Sequence, residues 1–197
     1  MIQATAPLNI PARALALRLL SAGFTYPDAA WRKRFCALLT QAQEARVLPR
    51  PDLAALNKSF RDISPEQLEG DYFRLFGSSG CCPLDLAHHL SPNPFEQSKR
   101  LADIGGFYKA FGVEVDRRLD HLPAMLEFSA YLEIKRSYAE TKGWEEREQI
   151  AKEAVLKFFG EILTPALEGF LKKLKTCSPP EFYMRLAKTA LIFGGAS

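Results

Sequence analysis

Cysteine and histidine, the residues of most metal and thiol sites, are scarce in this sequence: its 197 residues include 4 cysteines and 3 histidines. The cysteines are irregularly spaced, so we expect free thiols in a reducing compartment rather than a disulfide framework. Long apolar runs are also missing, and no stretch approaches the roughly 20 residues that a membrane span needs. The N-terminal apolar run lacks a preceding basic segment and is interrupted by Arg13 and Arg18, unlike a secretory signal. These absences predict a cytoplasmic protein.

No excess of one charge sign marks the chain either. Its formal net charge is +3, which is too small to indicate nucleic-acid binding. Apolar residues make up 47% and charged residues 25%, a balance typical of a soluble globular protein with a core of its own. The length suits one domain, and we predict a single domain over residues 1–197.

Motifs of catalysis and nucleotide binding are missing from the sequence: there is no Gly-x-Ser-x-Gly elbow, no phosphate-binding loop and no Gly-x-Gly-x-x-Gly. One segment contains four metal-ligand types, Cys81, Cys82, His88 and His89. Zinc sites favour ligands about two to four residues apart, whereas adjacent side chains point away from each other. Surface thiols and histidines are therefore the favoured interpretation. We predict no catalytic residue, no metal ligand and no cofactor, and keep a metal-dependent helical hydrolase as an alternative function.

Apolar residues recur at helical spacing along nearly the whole chain, and no segment shows the alternation of a half-buried strand. This pattern predicts an all-α protein, a single-domain bundle of about eight or nine helices. Residues 77–92 are rich in Gly, Ser and Pro and are predicted as a loop, and residues 113–119 as a connection. Residues 144–159 and 165–177 are predicted as two separate helices.

The helix predicted after Asp120 is the most informative one. Asp120 is suited to cap its N-terminus, and residues 122–132 contain only one glutamate, one serine and one tyrosine hydroxyl as polar groups. A helix that is apolar on nearly all sides is buried on nearly all sides. Glu127 is then expected in or beside the core, where a carboxylate needs a partner. Either it pairs with an arginine or lysine of another helix, or it lines a groove that receives a basic peptide.

Two other predicted helices carry aromatic residues at helical spacing. The first begins at Ser64, which forms a capping box with Gln67, and the second contains Gly105 and Gly106. Aromatic stripes are usually core, but a groove between such helices also suits an apolar helical peptide. The paired glycines indicate close helix packing, a kink, or the close approach of a ligand. The aromatic residues are Tyr72, Phe73 and Phe76 on the first helix and Phe107, Tyr108 and Phe111 on the second.

Several motifs together resemble one protein family. They are Leu19-Leu20-x-x-x-Phe24-x-Tyr26-Pro27, Tyr72-Phe73-x-Leu75-Phe76, Phe107-Tyr108-x-x-Phe111-Gly112, and Asp120-His121-Leu122 followed by Leu126-Glu127-Phe128. In this order, over most of the chain, they are similar to the TorD/DmsD/NarJ group of maturation chaperones for molybdenum-containing redox enzymes. Two positions depart from the family pattern: Leu119 stands where Pro often precedes Asp-His, and Met125 stands where Glu is frequent. The segment 101–108 is most similar to chaperones that serve enzymes of the dimethyl sulfoxide reductase type.

The resemblance implies a helical, non-enzymatic chaperone of the cytoplasm. Such a protein binds the catalytic subunit of a dimethyl-sulfoxide-reductase-type molybdoenzyme, often through a twin-arginine signal peptide, and assists insertion of the molybdenum cofactor before export. Carboxylates suit the two arginines because Arg–carboxylate pairs are strong and directional, and aromatic side chains suit the apolar part of the peptide. The peptide-binding residues expected on this basis are Tyr72, Phe76, Phe107, Asp120, His121 and Glu127.

The expected partners are the apo catalytic subunit, its signal peptide and the proteins that make the molybdenum cofactor, with no nucleic acid and no stable insertion into a membrane. A monomer or a swapped dimer is expected, because helices joined by hinge-like segments can exchange between protomers. A second alternative function, besides the hydrolase, is a structural subunit that stays with a redox complex.

Overall fold

The computed structural model describes residues 10–115 and 118–194. The start of the N-terminal segment compared above with a secretory signal, and residues 116–117 of the predicted connection, lie outside these ranges. Among the described residues there is no β-strand, and nine helices have 12 residues or more, which confirms the predicted all-α bundle. The helices are α1 (Ala12–Gly23), α2 (Trp31–Glu44), α3 (Arg50–Arg61), α4 (Pro65–Phe76), α5 (Ala87–Leu90), α6 (Pro94–Ala110), α7 (Leu122–Lys142), α8 (Glu145–Lys157), α9 (Thr164–Lys175) and α10 (Glu181–Gly194).

Helices α1 and α7 pack against each other at the centre of the bundle. Ser21, buried on α1, donates a hydrogen bond to the carbonyl oxygen of Pro123 at 2.9 Å and so ties α1 to the first turn of α7. Gly23 lets α10 approach α1 closely, because a Cβ at this position would lie 2.6 Å from a methyl carbon of Leu186. The start of α7 is therefore anchored in the core, which matters because the candidate site lies there.

Residues 145–175 form one continuous helical run, so the prediction of two separate helices is wrong. Helix α8 passes through a π-helical segment (Phe158–Leu163) directly into α9. Pro165 lies in the first turn of α9, and a proline cannot donate a hydrogen bond to the preceding turn. The wider π turn accommodates that missing bond without a loop. No helix in the two described ranges has both the length and the apolar character needed to cross a membrane.

The capping box predicted at the start of α4 is confirmed. Ser64 Oγ accepts a hydrogen bond from the N–H of Gln67, and Gln67 Oε1 accepts one from the N–H of Ser64, both at 3.2 Å. The reciprocal bonds satisfy two amide groups that would otherwise have no partner at the helix start. Local sequence alone therefore determines where α4 begins.

The predicted loop at 77–92 contains the four-residue helix α5 and is otherwise irregular. It folds back onto the end of α4, because the N–H of Cys82 donates to the carbonyl oxygen of Leu75 at 2.8 Å. Helix α5 then packs on α9, where Gly169 leaves room for the backbone: a Cβ there would lie 2.3 Å from the carbonyl oxygen of His89. The loop is thus held at both ends by hydrogen bonds and close packing.

A carboxylate is buried in the middle of α7, that of Glu133. Its two oxygens lie 3.2 Å from Arg13 Nε of α1 and 3.1 Å from Arg136 Nη2 of the following turn. Arg13 also lies over the ring of Phe159, at 4.6 Å, and donates to the carbonyl oxygen of Phe193 at 2.8 Å. One guanidinium therefore joins α1, α7, the π-helical segment and α10.

Replacing Glu133 by Gln should lower the free energy of unfolding by about 2 kcal/mol, because two guanidinium groups lose their charged partner. Urea unfolding followed by circular dichroism measures the change. The matched control is Glu140→Gln, since Glu140 is exposed on the same helix. Equal effects of the two substitutions would show that the buried triad contributes nothing to stability.

Candidate functional site

A short antiparallel bridge joins the loop before α5 to the start of α7. Residues 84–86 pair with residues 120–122 through two backbone N–H···O hydrogen bonds of 2.8 and 2.9 Å. Asp85 and His121 lie opposite each other in this bridge. The backbone thus brings side chains 36 positions apart in sequence into one site.

Asp120 is completely buried at the bridge, and its Oδ2 accepts a hydrogen bond from the N–H of Ala87, the first residue of α5, at 2.9 Å. The prediction that Asp120 caps α7 is therefore wrong, since the N-cap position is His121. A cap at residue 120 needs a free N–H on Leu122 or Pro123. The first N–H donates across the bridge, and proline has none. The carboxylate turns to α5 instead.

Asp85, Arg118 and His121 surround this buried carboxylate. Arg118 contacts both acids, with Nη1 3.2 Å from Asp85 Oδ2 and Nε 3.4 Å from Asp120 Oδ1. His121 Nδ1 lies 3.4 Å from the other oxygen of Asp85. The hydrogen bond with His121, helped by the charge of Arg118, lowers the pKa of Asp85 below its usual value. Asp85 is therefore ionised at neutral pH and attracts cations.

The last turns of α6 form the apolar side of the site. The hydroxyl of Tyr108 donates to the carbonyl oxygen of Leu119 at 2.9 Å, and its ring lies edge-on to that of Phe128, with centroids 4.6 Å apart. Gly105 lets Leu119 pack against α6, because a Cβ there would lie 3.1 Å from a Leu119 methyl carbon. Close packing thus explains Gly105, whereas a Cβ at Gly106 would meet nothing within 4 Å.

Of the six residues predicted to bind peptide, Asp120 and His121 belong to the bridge. Phe107 is half-buried on α6, its ring 5.3 Å from that of Phe158, and Glu127 lies in the second turn of α7. The bridge thus contains two of the predicted residues, whereas Phe107 packs towards the π-helical segment.

The expectation that Glu127 lies in or beside the core is wrong, because its side chain is exposed. Ala124 and Tyr131 lie on the same face of α7 and are only half-buried. Alanine and tyrosine are often partly exposed to solvent, so a helix rich in apolar residues can still have a solvent-exposed face. The buried carboxylate is that of Glu133, one turn beyond the buried Ser129. The spacing of four residues between Ser129 and Glu133 places both on the same face of α7, and this spacing could have predicted that Glu133 is buried.

The other two predicted residues, Tyr72 and Phe76, lie on α4 in a different ring cluster. Phe76 is buried with its ring 5.0 Å from that of Tyr183, and Tyr72 is half-buried with its ring 5.6 Å from that of Tyr26. Over the described ranges, no ring contact joins this cluster to that of Phe107. Helices α4 and α6 therefore carry separate aromatic clusters.

The cysteines and histidines of the segment before α6 do not converge on one site. His88 is exposed, and His89 Nε2 lies 2.7 Å from the carbonyl oxygen of Pro83. Cys82 is buried, with Sγ 3.8 Å from the carbonyl oxygen of Phe170. In the part of the chain that the structure describes, no group of three His, Cys, Asp or Glu side chains is arranged to hold a metal ion.

Two surface cavities lie away from the bridge. The larger, about 580 Å³, lies between α3, α4 and α10 and is lined by charged residues such as Lys58, Asp62 and Arg185. The smaller, about 320 Å³, lies between α2 and α4 and is lined in part by Trp31 and Glu69. Neither cavity is lined by any of the six predicted residues.

One known family, described as nitrate reductase delta subunit, matches residues 46–172, which is nearly two thirds of the chain and includes the whole bridge. The chain belongs to this family. Its members are NarJ/TorD-type chaperones that assist the maturation of molybdoenzymes, and the family acts on their catalytic subunits without being catalytic itself. The resemblance drawn from the motifs is thus confirmed. No curated protein is similar enough to count as a match.

The stability of this delta-family protein should depend on pH through Asp85. Because the pKa of Asp85 is lower in the folded than in the unfolded protein, ionised Asp85 stabilises the fold above about pH 4. That contribution disappears as the pH falls through the folded value. The wild type should therefore melt at a higher temperature than Asp85→Asn at pH 7, and the difference should shrink below about pH 4. Asp52→Asn, an exposed change on α3, is the control, and a difference that stays constant with pH would contradict the assignment.

Thiol labelling should separate Cys36 from Cys82. Cys36 is exposed on α2, whereas burial raises the pKa of Cys82 to about 12, so that its reactive thiolate is scarce at pH 8. Iodoacetamide should modify Cys36 first and Cys82 only when the protein is unfolded, as measured by mass spectrometry of proteolytic peptides. Early modification of Cys82 in folded protein would show that this thiol is not buried in solution.

Proposed function

We propose that the protein binds a twin-arginine signal peptide at the bridge. In this way it holds the catalytic subunit of a dimethyl-sulfoxide-reductase-type molybdoenzyme in the cytoplasm for molybdenum cofactor insertion before export. The observation that carries the proposal is the pair of carboxylates, Asp85 and Asp120, which the guanidinium of Arg118 contacts together. A site that accepts one guanidinium has the charge and spacing to accept another.

The surroundings of the bridge suit the rest of such a peptide. Leu119, which directly precedes Asp120, and Phe107 and Phe111 near the end of α6 are half-buried, so each presents part of an apolar side chain at the surface. A moderately apolar helical segment can lie on such a surface. Glu127, exposed on α7, is a further carboxylate that can meet a second basic residue of the peptide. Tyr131 links the two helices here, because its hydroxyl lies 3.3 Å from the carbonyl oxygen of Phe111.

Binding of a synthetic peptide tests the proposal directly. The probe is a fluorescently labelled peptide with two adjacent arginines followed by a moderately apolar run, and the reference peptide has two lysines in their place. The arginine peptide should bind about tenfold more tightly, because lysine cannot form the bidentate pair with a carboxylate. Fluorescence anisotropy measures both affinities, and added salt should weaken the stronger one. Equal affinity for the two peptides, or binding of neither, would refute the proposal.

A matched pair of variants locates the binding surface. Glu127→Gln should weaken binding of the arginine peptide by about two- to fivefold, because an exposed ion pair contributes up to about 1 kcal/mol. Glu140→Gln changes the same residue type at an exposed position in the last turns of α7 and should bind like the wild type. Melting temperatures check that both variants are folded. Equal affinities of the two variants would place the peptide elsewhere on the protein.

A further inference from the structure

Arg118 lies where an incoming arginine would have to lie. Its guanidinium contacts both carboxylates of the bridge, 3.2 Å from Asp85 and 3.4 Å from Asp120. Its own side chain is 60% exposed, whereas that of Asp120 is completely buried beneath it. The most exposed member of the cluster is therefore the cation, and the carboxylate that needs a cation most is the one with no access to water.

The contact between Arg118 and Asp120 is incomplete. Asp120 Oδ2 is satisfied by the N–H of Ala87, but Asp120 Oδ1 has no hydrogen-bond donor, since the guanidinium approaches without the geometry of a hydrogen bond. A buried carboxylate oxygen without a donor is unfavourable. The closest contacts of Arg118 use Nη1 for Asp85 and Nε for Asp120, so one guanidinium is shared between two acids, whereas a guanidinium can form two parallel bonds to one carboxylate. A better-aligned guanidinium would therefore bind more strongly than Arg118 does.

We propose that Arg118 is a built-in competitor: its guanidinium occupies a guanidinium-binding site formed by Asp85 and Asp120, and an arginine side chain of the ligand displaces it. The identity of the ligand as a signal peptide rests on the proposed function, but the chemistry of the site does not. Arg118 thereby sets a threshold, because only a group that pairs with the carboxylates better than the resident guanidinium can enter.

The site keeps its shape when Arg118 leaves. The backbone bonds of the bridge hold residues 84–86 and 120–122 together without using the arginine side chain. His121 retains the second oxygen of Asp85, and Ala87 retains Oδ2 of Asp120. Displacement therefore exchanges one guanidinium for another on carboxylates that are already in position, with little rearrangement to oppose binding.

The first experiment removes the competitor. Arg118→Gln should bind the arginine peptide about three- to tenfold more tightly than the wild type, because the ligand no longer displaces an ion pair. Arg118→Lys keeps a positive charge, so its affinity for the arginine peptide should lie between those of the wild type and Arg118→Gln. The matched control is Arg34→Gln, which removes another half-exposed arginine from an aspartate, Asp28, and should leave the affinity unchanged. Wild-type binding with no gain in Arg118→Gln would overturn the inference while leaving the proposed function in place.

The second experiment needs no peptide. Ethylguanidinium at millimolar concentration should raise the melting temperature of Arg118→Gln, because it fills the vacated position and neutralises the buried carboxylate. Ethylguanidinium should raise the melting temperatures of the wild type and of Arg34→Gln by less. Ethylammonium at equal ionic strength should not stabilise Arg118→Gln in the same way. Stabilisation of Arg118→Gln together with failure of the peptide to bind would support the guanidinium site and refute the signal-peptide function. No stabilisation, with Arg118→Lys folded, would overturn the site itself.

Discussion

The antiparallel bridge between residues 84–86 and 120–122 is the constraint on which the candidate site depends. It consists of only two backbone hydrogen bonds, yet it fixes the positions of Asp85, Asp120 and His121 at once. One side of the bridge is the first turn of α7, which is tied to α1 through Ser21 and Pro123 and cannot move without disturbing the core. The other side is an irregular loop, which gains its position from this contact and from the packing of α5 on α9. A helix that is anchored in the core thus positions a surface loop.

Among the residues that the structure describes, two carboxylates are completely buried, those of Asp120 and Glu133, and their surroundings differ. Glu133 lies between two guanidinium groups, one of which is also held by an aromatic ring and a backbone carbonyl. Such a partner cannot leave without breaking several contacts. Asp120 has one backbone donor and one largely exposed arginine. The proposed exchange of a cation with a ligand suits the second arrangement, because the side chain of Arg118 is 60% exposed, against 25% for Arg13 and 38% for Arg136.

The two departures from the family pattern have clear roles in the packing. Leu119 places its side chain against Gly105 and its carbonyl oxygen under the hydroxyl of Tyr108, so it joins α6 to the bridge. Met125 is completely buried in the core cluster. A glutamate at that position would need a buried partner, whereas methionine fills the space without one. Both residues therefore support the start of α7 through apolar contacts.

The helical pattern, the capping box at Ser64 and the family motifs were all predictable from the sequence, because each depends on residues only a few positions apart. The length of the run from α8 to α9 was not, since whether a proline ends a helix or is accommodated by a π turn depends on the neighbours that bury it. The outer position of Glu127 and the burial of Glu133 were also misjudged. Residue types give the apolar character of a helix, but the packing partners decide which side faces water.

The sequence by itself determined the all-α class, the start of α4 and membership in a family of molybdoenzyme chaperones. Tertiary structure alone decided what Asp120 does. Nothing local distinguishes an aspartate that caps its own helix from one that turns to another, and the donor that Asp120 uses, Ala87, is 33 positions away in sequence. The N–H of Leu122, which a cap at residue 120 would require, donates to Leu84 across the bridge, and the N–H of Ala87 in α5 donates to Asp120 instead. Each backbone N–H must find an acceptor, and acceptors from distant parts of the chain compete for it. The role of a polar residue is therefore decided only in the folded protein, where these groups are brought together.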